Sequence, residues 1–249
     1  MKKLLLFLCL PLYLLGQNSI GLPDVINYSK QSYAAGLQSW DIKQDANGIV
    51  YVANNEGLLS FDGRFWTLYP LPNRTIVRSV EIGPDNKIYV GGQDELGYFS
   101  PAANGRLTYH PLNAAIPAKD QSFGDVWDIV AYKKDIFFRT ANRIFKFTNG
   151  AFATFRSIQE WSYLGICNGK LFAHDFKAGL MQFENNAMIP LSVTGTLPAG
   201  DPVTAMLPGA KDSVLITTLK NGLFLLASNT ISKVGSPNTS RFENERIYA

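Results

Sequence analysis

The strongest candidates for chemistry in this sequence are its two histidines, His110 and His174. His174 is followed directly by Asp175 in the stretch AHDFKAGL, and a His-Asp pair could act as an acid/base group or contribute to a metal site. Neither histidine has a second ligand at metal-binding spacing. The pattern therefore favours a loop histidine that is solvated or hydrogen-bonded to Asp175, and we expect no metal and no cofactor.

Other signatures of catalysis are missing from the sequence. It contains no Gly-x-Ser-x-Gly elbow, no His-Glu-x-x-His, no phosphate-binding glycine loop and no Cys-x-x-Cys. Residues 45–48, DANG, have the Asp-x-Asn-Gly pattern of calcium loops, but the rest of the twelve-residue pattern is missing. The segment therefore predicts a hairpin turn. Cys167 has apolar neighbours and no nearby histidine, which predicts a small buried core residue.

The elements that must position any site are repeated along the chain. YVANNEGLLSFDGRFWTLYP starts at Tyr51, and a similar stretch starts at Tyr89. Five such units follow one another, each with four short runs rich in β-branched and aromatic residues. Turn pairs of the Asn-Gly and Asp-Gly kind separate the runs and suit tight antiparallel hairpins. Each unit therefore predicts a four-stranded antiparallel sheet.

A repeated four-stranded meander predicts an all-β fold, a β-propeller, because such units bury their faces against one another. About five blades are expected, forming an incomplete ring, and the chain reads as a fragment of a longer propeller that should be poorly soluble when isolated. The predicted blades lie at about 39–70, 77–112, 125–156, 161–192 and 203–235, with the start of a sixth at 246.

The N-terminus has the pattern of an export signal. Residues 1–16, MKKLLLFLCLPLYLLG, place two lysines before an apolar run and a small residue, which predicts a signal peptide. Residues 17–38 would then form an N-terminal arm that leads into the propeller and adds a strand elsewhere in the ring. The net charge of +3 falls to +1 without Lys2 and Lys3. This charge is too small to indicate nucleic-acid binding, and export to the periplasm is expected.

A ligand would bind where polar side chains gather on one face of the disc. The loops between second and third strands, and those joining successive blades, share that face. Trp40 and Trp127 hold matching places in SWDI and VWDI, which predicts core residues of the repeat. Exposed aromatic, amide and carboxylate groups would suit a glycan or another small polar ligand, whereas a merely solvated rim is the alternative. The predicted ligand-binding residues are Asn55, Glu56, Asp94, Glu95, His174 and Lys220.

The first unit also resembles a known family. Residues 50–70, VYVANNEGLLSFDGRFWTLYP, resemble the two-component regulator propeller repeat, through Gly57-Leu58, Asp62-Gly63 and Phe65-Trp66. Residues 21–63 are similar to the N-terminus of Bacteroidetes-type secreted sensor proteins. In that group the propeller precedes a triple-tyrosine β-sandwich, a membrane span and a cytoplasmic kinase or helix-turn-helix output.

The resemblance implies a non-catalytic, extracytoplasmic ligand-sensing propeller of a signal-transduction or transcription-regulatory protein linked to the inner membrane. Its partners would be an unknown polar or glycan ligand and the downstream triple-tyrosine and output modules of the same longer chain. Two other classes remain open from the residues alone. These are a secreted propeller enzyme acting on glycans, as a lyase or hydrolase, and a protein-interaction scaffold.

Overall fold

A computed structural model describes residues 25–235 and 239–248, and the predicted signal peptide lies outside them. The described chain folds into five four-stranded antiparallel sheets that follow one another in sequence order, as predicted for an all-β propeller. Each sheet is one blade, and its strands are hydrogen-bonded in the order in which they occur. Neither helix of the described chain has the length or the apolar character that a membrane span requires.

The secondary structure follows the repeat. A short helix, α1 (Lys30–Tyr33), precedes the first blade, and α2 (Thr239–Glu245) follows the last. The five blades contain, in order, β1 (Ser39–Gln44), β2 (Val50–Asn54), β3 (Gly57–Phe61) and β4 (Trp66–Tyr69); β5 (Val77–Ile82), β6 (Ile88–Gly92), β7 (Leu96–Pro101) and β8 (Leu107–Pro111); β9 (Asp128–Tyr132), β10 (Asp135–Arg139), β11 (Arg143–Thr148) and β12 (Ala151–Arg156); β13 (Trp161–Cys167), β14 (Lys170–Asp175), β15 (Gly179–Glu184) and β16 (Ala187–Pro190); β17 (Val203–Pro208), β18 (Val214–Thr218), β19 (Gly222–Ala227) and β20 (Thr230–Lys233).

The turn between β1 and β2 shows why these residues form hairpins. Gly48 has a φ of +86°, a backbone conformation that glycine adopts without steric cost. The Asp45 carboxylate accepts the N–H groups of Asn47 and Ile49, both at 2.9 Å. The DANG segment is therefore a hairpin turn, as its sequence predicted.

The core of the molecule lies in the seams between blades. Alternate side chains of each strand point to opposite faces, so every blade presents an apolar face to each neighbour. Four buried clusters fill the four seams between consecutive blades. Cys167 is a buried free thiol in the seam between blades 4 and 5, as predicted, and burial raises its pKa.

The outer face of blade 1 is covered by the N-terminal arm. Tyr28 packs edge-on against Phe61 and Trp66, and Tyr33 packs against Trp66. Ala35 is buried in the same cluster. The arm was expected to add a strand to the ring, but its described part, residues 25–38, contains only α1 and irregular structure. It acts as an aromatic cover because Tyr28 and Tyr33 shield apolar side chains that no blade covers.

The described blades form an open arc. Among residues 25–235 and 239–248, no buried cluster joins blade 5 to blade 1. Instead α2 lies near β19, where Phe242 approaches Gly222. A further strand was expected at Arg246, yet residues 246–248 have no regular structure, and the Ile247 N–H donates to the Leu219 carbonyl at 3.2 Å.

Polar contacts at the inner ends of the seams hold neighbouring blades together. The Asp41 carboxylate accepts the Val80 N–H of the next blade at 3.0 Å, and Asp128 accepts the Leu164 N–H of the next blade at 3.1 Å. At the matching place in blade 2, the Ser79 hydroxyl instead donates to the Val126 carbonyl, just before blade 3, at 2.8 Å. The aspartates of SWDI and VWDI therefore join blades, which fixes the innermost strands relative to one another.

Candidate functional site

The innermost strand of most blades carries a β-bulge near its first residue. Its pairing register shifts by one residue in blades 1, 2, 4 and 5, and blade 3 has a tryptophan in the matching place directly before β9. A bulge leaves its extra residue out of the ladder and turns that side chain in a new direction. The residues at this bulge position are Trp40, Arg78, Trp127, Ser162 and Thr204.

Three of these side chains meet on the face that carries the β2–β3 turn. The guanidinium carbon of Arg78 lies 4.0 Å from the Trp40 ring centre and 4.8 Å from the Trp127 ring centre. The two indole rings are 6.3 Å apart and nearly perpendicular, at 75°. Arg78 of blade 2 is thus held by cation–π contacts from blades 1 and 3. We call Trp40, Arg78, Trp127 and the adjacent Asp125 the Trp-Arg cluster.

Hydrogen-bonding capacity within the Trp-Arg cluster is incompletely used. Arg78 Nε lies 3.1 Å from Asp125 Oδ1, but neither atom has a well-aligned hydrogen bond within the described residues, and the same holds for Arg78 Nη1. Buried polar atoms without partners are rare in folded proteins. Asn55 Oδ1 accepts the Trp40 indole N–H at 2.7 Å, which orients that ring. The cluster therefore combines fixed aromatic rings with a buried ion pair whose hydrogen-bonding capacity is not fully used.

A cavity of about 420 Å³ extends from the Trp-Arg cluster along the innermost strands. Its lining includes Trp40 and Trp127 as well as Lys43 and Glu81. These last two side chains form an ion pair of 3.1 Å between blades 1 and 2. The cavity therefore offers both apolar ring surface and paired charges, a combination that suits a polar ligand with an apolar face.

The prediction that Trp40 and Trp127 are core residues of the repeat is wrong. Their exposed fractions are 37% and 42%. The bulge turns the Trp40 ring out of the seam, and Trp127 lies directly before β9. The neighbouring Asp41 and Asp128 point across the seam to the next blade. Trp161 lies one position earlier in blade 4 and is buried in the seam between blades 3 and 4. The matching places of Trp40 and Trp127 in the repeat therefore identified equivalent residues, but the burial predicted for both side chains was wrong.

Of the six predicted ligand-binding residues, Asn55 alone contacts the Trp-Arg cluster within the described chain. Glu56 is exposed beside it. Lys220 is also exposed, and its backbone N–H donates to Asp201 at 3.0 Å.

Asp94 and Glu95 are engaged in contacts of their own blade and its connector. Asp94 Oδ1 accepts the N–H groups of Phe123 and Gly124, both at 2.7 Å. Glu95 accepts the Tyr109 hydroxyl at 2.6 Å. Both carboxylates therefore hold the chain in place, and whether they also bind a ligand stays a prediction.

His174 is a strand residue, so the expectation of a solvated loop histidine is wrong. It lies in β14 with an exposed fraction of 4%. Its Nδ1 is 2.6 Å from the hydroxyl of Ser162, the bulge-position residue of blade 4. Asp175 points to the opposite face of the strand, as successive strand residues do. The His-Asp neighbours therefore do not form a pair, and among the described residues no cluster of potential metal ligands exists.

Burial lowers the pKa of His174 to about 4, because the apolar seam disfavours the imidazolium more than the charges of Asp175 and Asp201 favour it. The unfolded chain binds this proton near pH 6.5. We therefore expect the stability to be full above pH 6.5 and to fall as the pH drops towards 4, with a loss of about 2 kcal/mol at pH 5. Urea unfolding at pH 7 and pH 5 measures this, and His174→Asn should remove that part of the difference.

Arg78 was missed by reasoning from the sequence, although a signal for it existed. SWDI and VWDI place a tryptophan at the bulge position of blades 1 and 3, and the matching stretch of blade 2 is VRSV. In the repeat alignment, Arg78 falls between Trp40 and Trp127. The three side chains can stack on one another only if their blades are neighbours and if this position of the first strand points to the propeller axis. The register shift, which the sequence does not reveal, supplies that second condition.

The chain matches no protein-family model and no curated protein. Solved structures do match, among them virginiamycin B lyase from Staphylococcus aureus, with 15% identity, a TM-score of 0.61, and coverage of 80% of this chain and 71% of that one. The fold is that of a β-propeller. The extracellular domain of the putative one component system BT4673 from B. thetaiotaomicron has 15% identity and a TM-score of 0.61, with 80% of this propeller covered and 28% of that chain.

A third neighbour is the extracellular domain of the putative hybrid two component system BT3049 from B. thetaiotaomicron. It has 13% identity and a TM-score of 0.61, and the match covers 82% of this propeller and 30% of that chain. This propeller therefore spans less than a third of the length of the two B. thetaiotaomicron chains. At these identities the likeness shows the fold.

Proposed function

We propose that this propeller is an exported, non-catalytic ligand-sensing module of a membrane-linked signalling protein, and that it binds a polar or glycan ligand at the Trp-Arg cluster. The observation that supports it best is the pair of exposed indole rings beside the ion pair of Arg78 and Asp125, in which Arg78 Nη1 has no hydrogen-bond partner among the described residues. Exposed aromatic rings provide apolar surface for one face of a sugar, and in-plane polar groups bind its hydroxyls. Asn55 orients the Trp40 ring from blade 1.

The proposed partners follow from the same role. A sensing propeller transmits the signal of ligand binding to triple-tyrosine and output modules of the same longer chain, which is linked to the inner membrane. In this role the propeller segment itself contacts no nucleic acid. Similarity in fold to extracellular domains of putative one- and two-component systems is compatible with this role. The likeness to a lyase propeller keeps the secreted glycan enzyme as the second candidate.

Ligand binding at the Trp-Arg cluster can be tested with a panel of neutral and acidic oligosaccharides on an array, followed by calorimetry of those that bind. We expect Trp127→Ala to weaken binding more than tenfold, because a central aromatic contact of a binding site typically contributes about 2 kcal/mol or more. Glu56→Ala tests the predicted rim in the same assay.

A matched control exists on the opposite face. Phe65 is also exposed and lies 5.0 Å from the guanidinium of Arg64, so it is an arginine–aromatic pair remote from the cluster. Phe65→Ala should leave the dissociation constant within twofold. Equal losses in both variants, or none in either, would exclude the Trp-Arg cluster as the site. Cleavage of a bound oligosaccharide, measured by mass spectrometry, would favour the enzyme instead.

A further inference from the structure

A second cavity, of about 580 Å³, lies between blades 4 and 5 on the outer side of β14. It is separate from the cavity below the Trp-Arg cluster, since the two share no lining residue. Apolar and polar groups both line it, and the lining includes His174, Phe176, Leu180, Leu191, Leu197 and Pro198. Lys177 stands at its rim with an exposed side chain.

The cavity exists because the connector above this seam does not fill it. The other long connector, residues 112–127 between blades 2 and 3, buries Ile116 and Phe123 in its own seam. The connector between blades 4 and 5, residues 191–202, leaves Leu191 and Leu197 only half-buried around an open volume. Protein interiors are normally packed with few voids larger than a water molecule. The seam between blades 2 and 3 has an opening of similar size, about 590 Å³, so the side chains that face the opening, rather than its volume, identify a candidate binding site.

The connector above the cavity is fixed to blade 5. The Thr194 N–H donates to the Asn229 carbonyl at 2.8 Å, and the Ile231 N–H donates to the Thr194 carbonyl at 2.8 Å. The Thr194 and Thr230 hydroxyls are 2.9 Å apart. These bonds form a parallel bridge to the edge strand β20. The cavity is thus bounded by the sheets of blades 4 and 5 and by a connector that is hydrogen-bonded to blade 5.

His174 is a buried polar side chain in the lining of this cavity. It lies on the face of β14 that points towards blade 5, as Phe172 does. Its Nδ1 is hydrogen-bonded to the Ser162 hydroxyl, whereas its Nε2 has no hydrogen-bond partner within the described residues. The blade does not need a histidine here, since the residues aligned with it in the β1–β2 pairings of blades 1 and 2 are Ala53 and Gly91. An oriented, buried and incompletely bonded imidazole that faces a cavity is typical of a ligand site.

We propose that this cavity binds a small uncharged molecule with an apolar ring and one hydroxyl group, and that the hydroxyl forms a hydrogen bond with His174 Nε2. A hydroxyl both donates and accepts, so it satisfies Nε2 in either tautomer of the neutral ring. The apolar side chains of the lining, such as Phe176 and Leu180, favour the ring. Because burial lowers the pKa of His174 to about 4, the imidazole is neutral near pH 7 and offers a charged ligand no counter-charge. The site does not depend on ligand binding at the Trp-Arg cluster.

Phenol is a suitable probe, with toluene and benzoate as comparisons, in an NMR titration that follows the His174 ring protons and the methyl groups of Leu180 and Leu197. We expect saturable phenol binding at one site, with toluene and benzoate both weaker. His174→Asn retains an atom that can bond to Ser162 but removes Nε2. This variant should weaken phenol binding about tenfold, because phenol loses one hydrogen bond. Toluene binding should stay unchanged, since toluene has no hydroxyl group.

A second variant tests the cavity without altering the histidine. Leu197→Trp should fill the open volume and abolish phenol binding while the thermal unfolding midpoint stays near that of the wild type. Trp127→Ala, at the other cavity, should leave phenol binding unchanged. The proposal is overturned if the wild-type protein shows no saturable phenol binding. It is equally overturned if phenol binds the wild type and His174→Asn with the same affinity.

Discussion

Replacing Asp175 by alanine should lower the free energy of unfolding by about 4 kcal/mol. Asp175 is fully buried, and its two oxygens accept four backbone N–H groups. Two belong to the connector between blades 3 and 4, at Ile158 and Gln159, and two to the turn after β14, at Lys177 and Ala178. Each buried donor left without an acceptor costs about 1 to 3 kcal/mol, and water that enters the site recovers part of the sum.

Urea unfolding with matched variants measures this effect. Asp175→Asn keeps the shape and one acceptor oxygen, so its loss should fall between those of the wild type and alanine. Glu160→Ala is the control, since that side chain is exposed in the same connector and makes no hydrogen bond or ion pair within the described residues. A loss below about 1 kcal/mol for Asp175→Ala would show that these four bonds are dispensable.

The same carboxylate should also make the protein sensitive to acid. Burial alone would raise the pKa of Asp175, but the N–H groups of Ala178, Gln159, Lys177 and Ile158 outweigh it and hold the pKa below its usual range. A carboxylate with a lowered pKa stabilises the fold above the pKa of the unfolded chain, near 3.9. This contribution is lost as the pH falls through the lowered value.

Asp120→Ala should be the second most damaging substitution, with a loss of about 3 kcal/mol. The Asp120 side chain is buried and accepts hydrogen bonds from Arg143 Nε at 3.1 Å and Arg156 Nη2 at 2.5 Å. Burial would raise the pKa of Asp120, but the bonds from Arg156 and Arg143 outweigh it and lower the pKa. Removing the carboxylate leaves the largely buried Arg143 without its counter-charge, which is the costly part of breaking a buried ion pair.

The two arginines should differ in the same unfolding assay. Arg143 is mostly buried, whereas the Arg156 side chain is 53% exposed and its charge is screened by water. Arg143→Ala should therefore lose clearly more stability than Arg156→Ala. Lys119→Ala, an exposed neighbour of Asp120 with no ion pair in the described chain, is the control. Equal effects of the two arginine variants would contradict this account of the network.

Candidate sites were harder to predict than the fold because they depend on side-chain direction. The sequence identified Asn55 from its place in a β2–β3 turn, and Asn55 does contact the Trp-Arg cluster. It gave no indication that Trp40 and Trp127 leave the seam. In blade 1 a bulge shifts the alternation of faces by one residue, and in blade 3 the tryptophan lies directly before the first strand. The polar stretch HDFK predicts a loop at His174, whereas β14 extends to Asp175.

The sequence by itself determined that this protein is a series of four-stranded antiparallel blades. Turn pairs such as Asn47-Gly48 and the short β-branched runs between them specify hairpins locally, and the repetition specifies that the hairpins stack. These signals act over a few residues, so they can be read without the fold. The tertiary structure decided which polar groups are used internally and which remain for a ligand. Arg78 between two indole rings, Asp175 beneath four N–H groups and His174 beside an unfilled seam each depend on residues from different blades or connectors, and chain order does not give their separations in space.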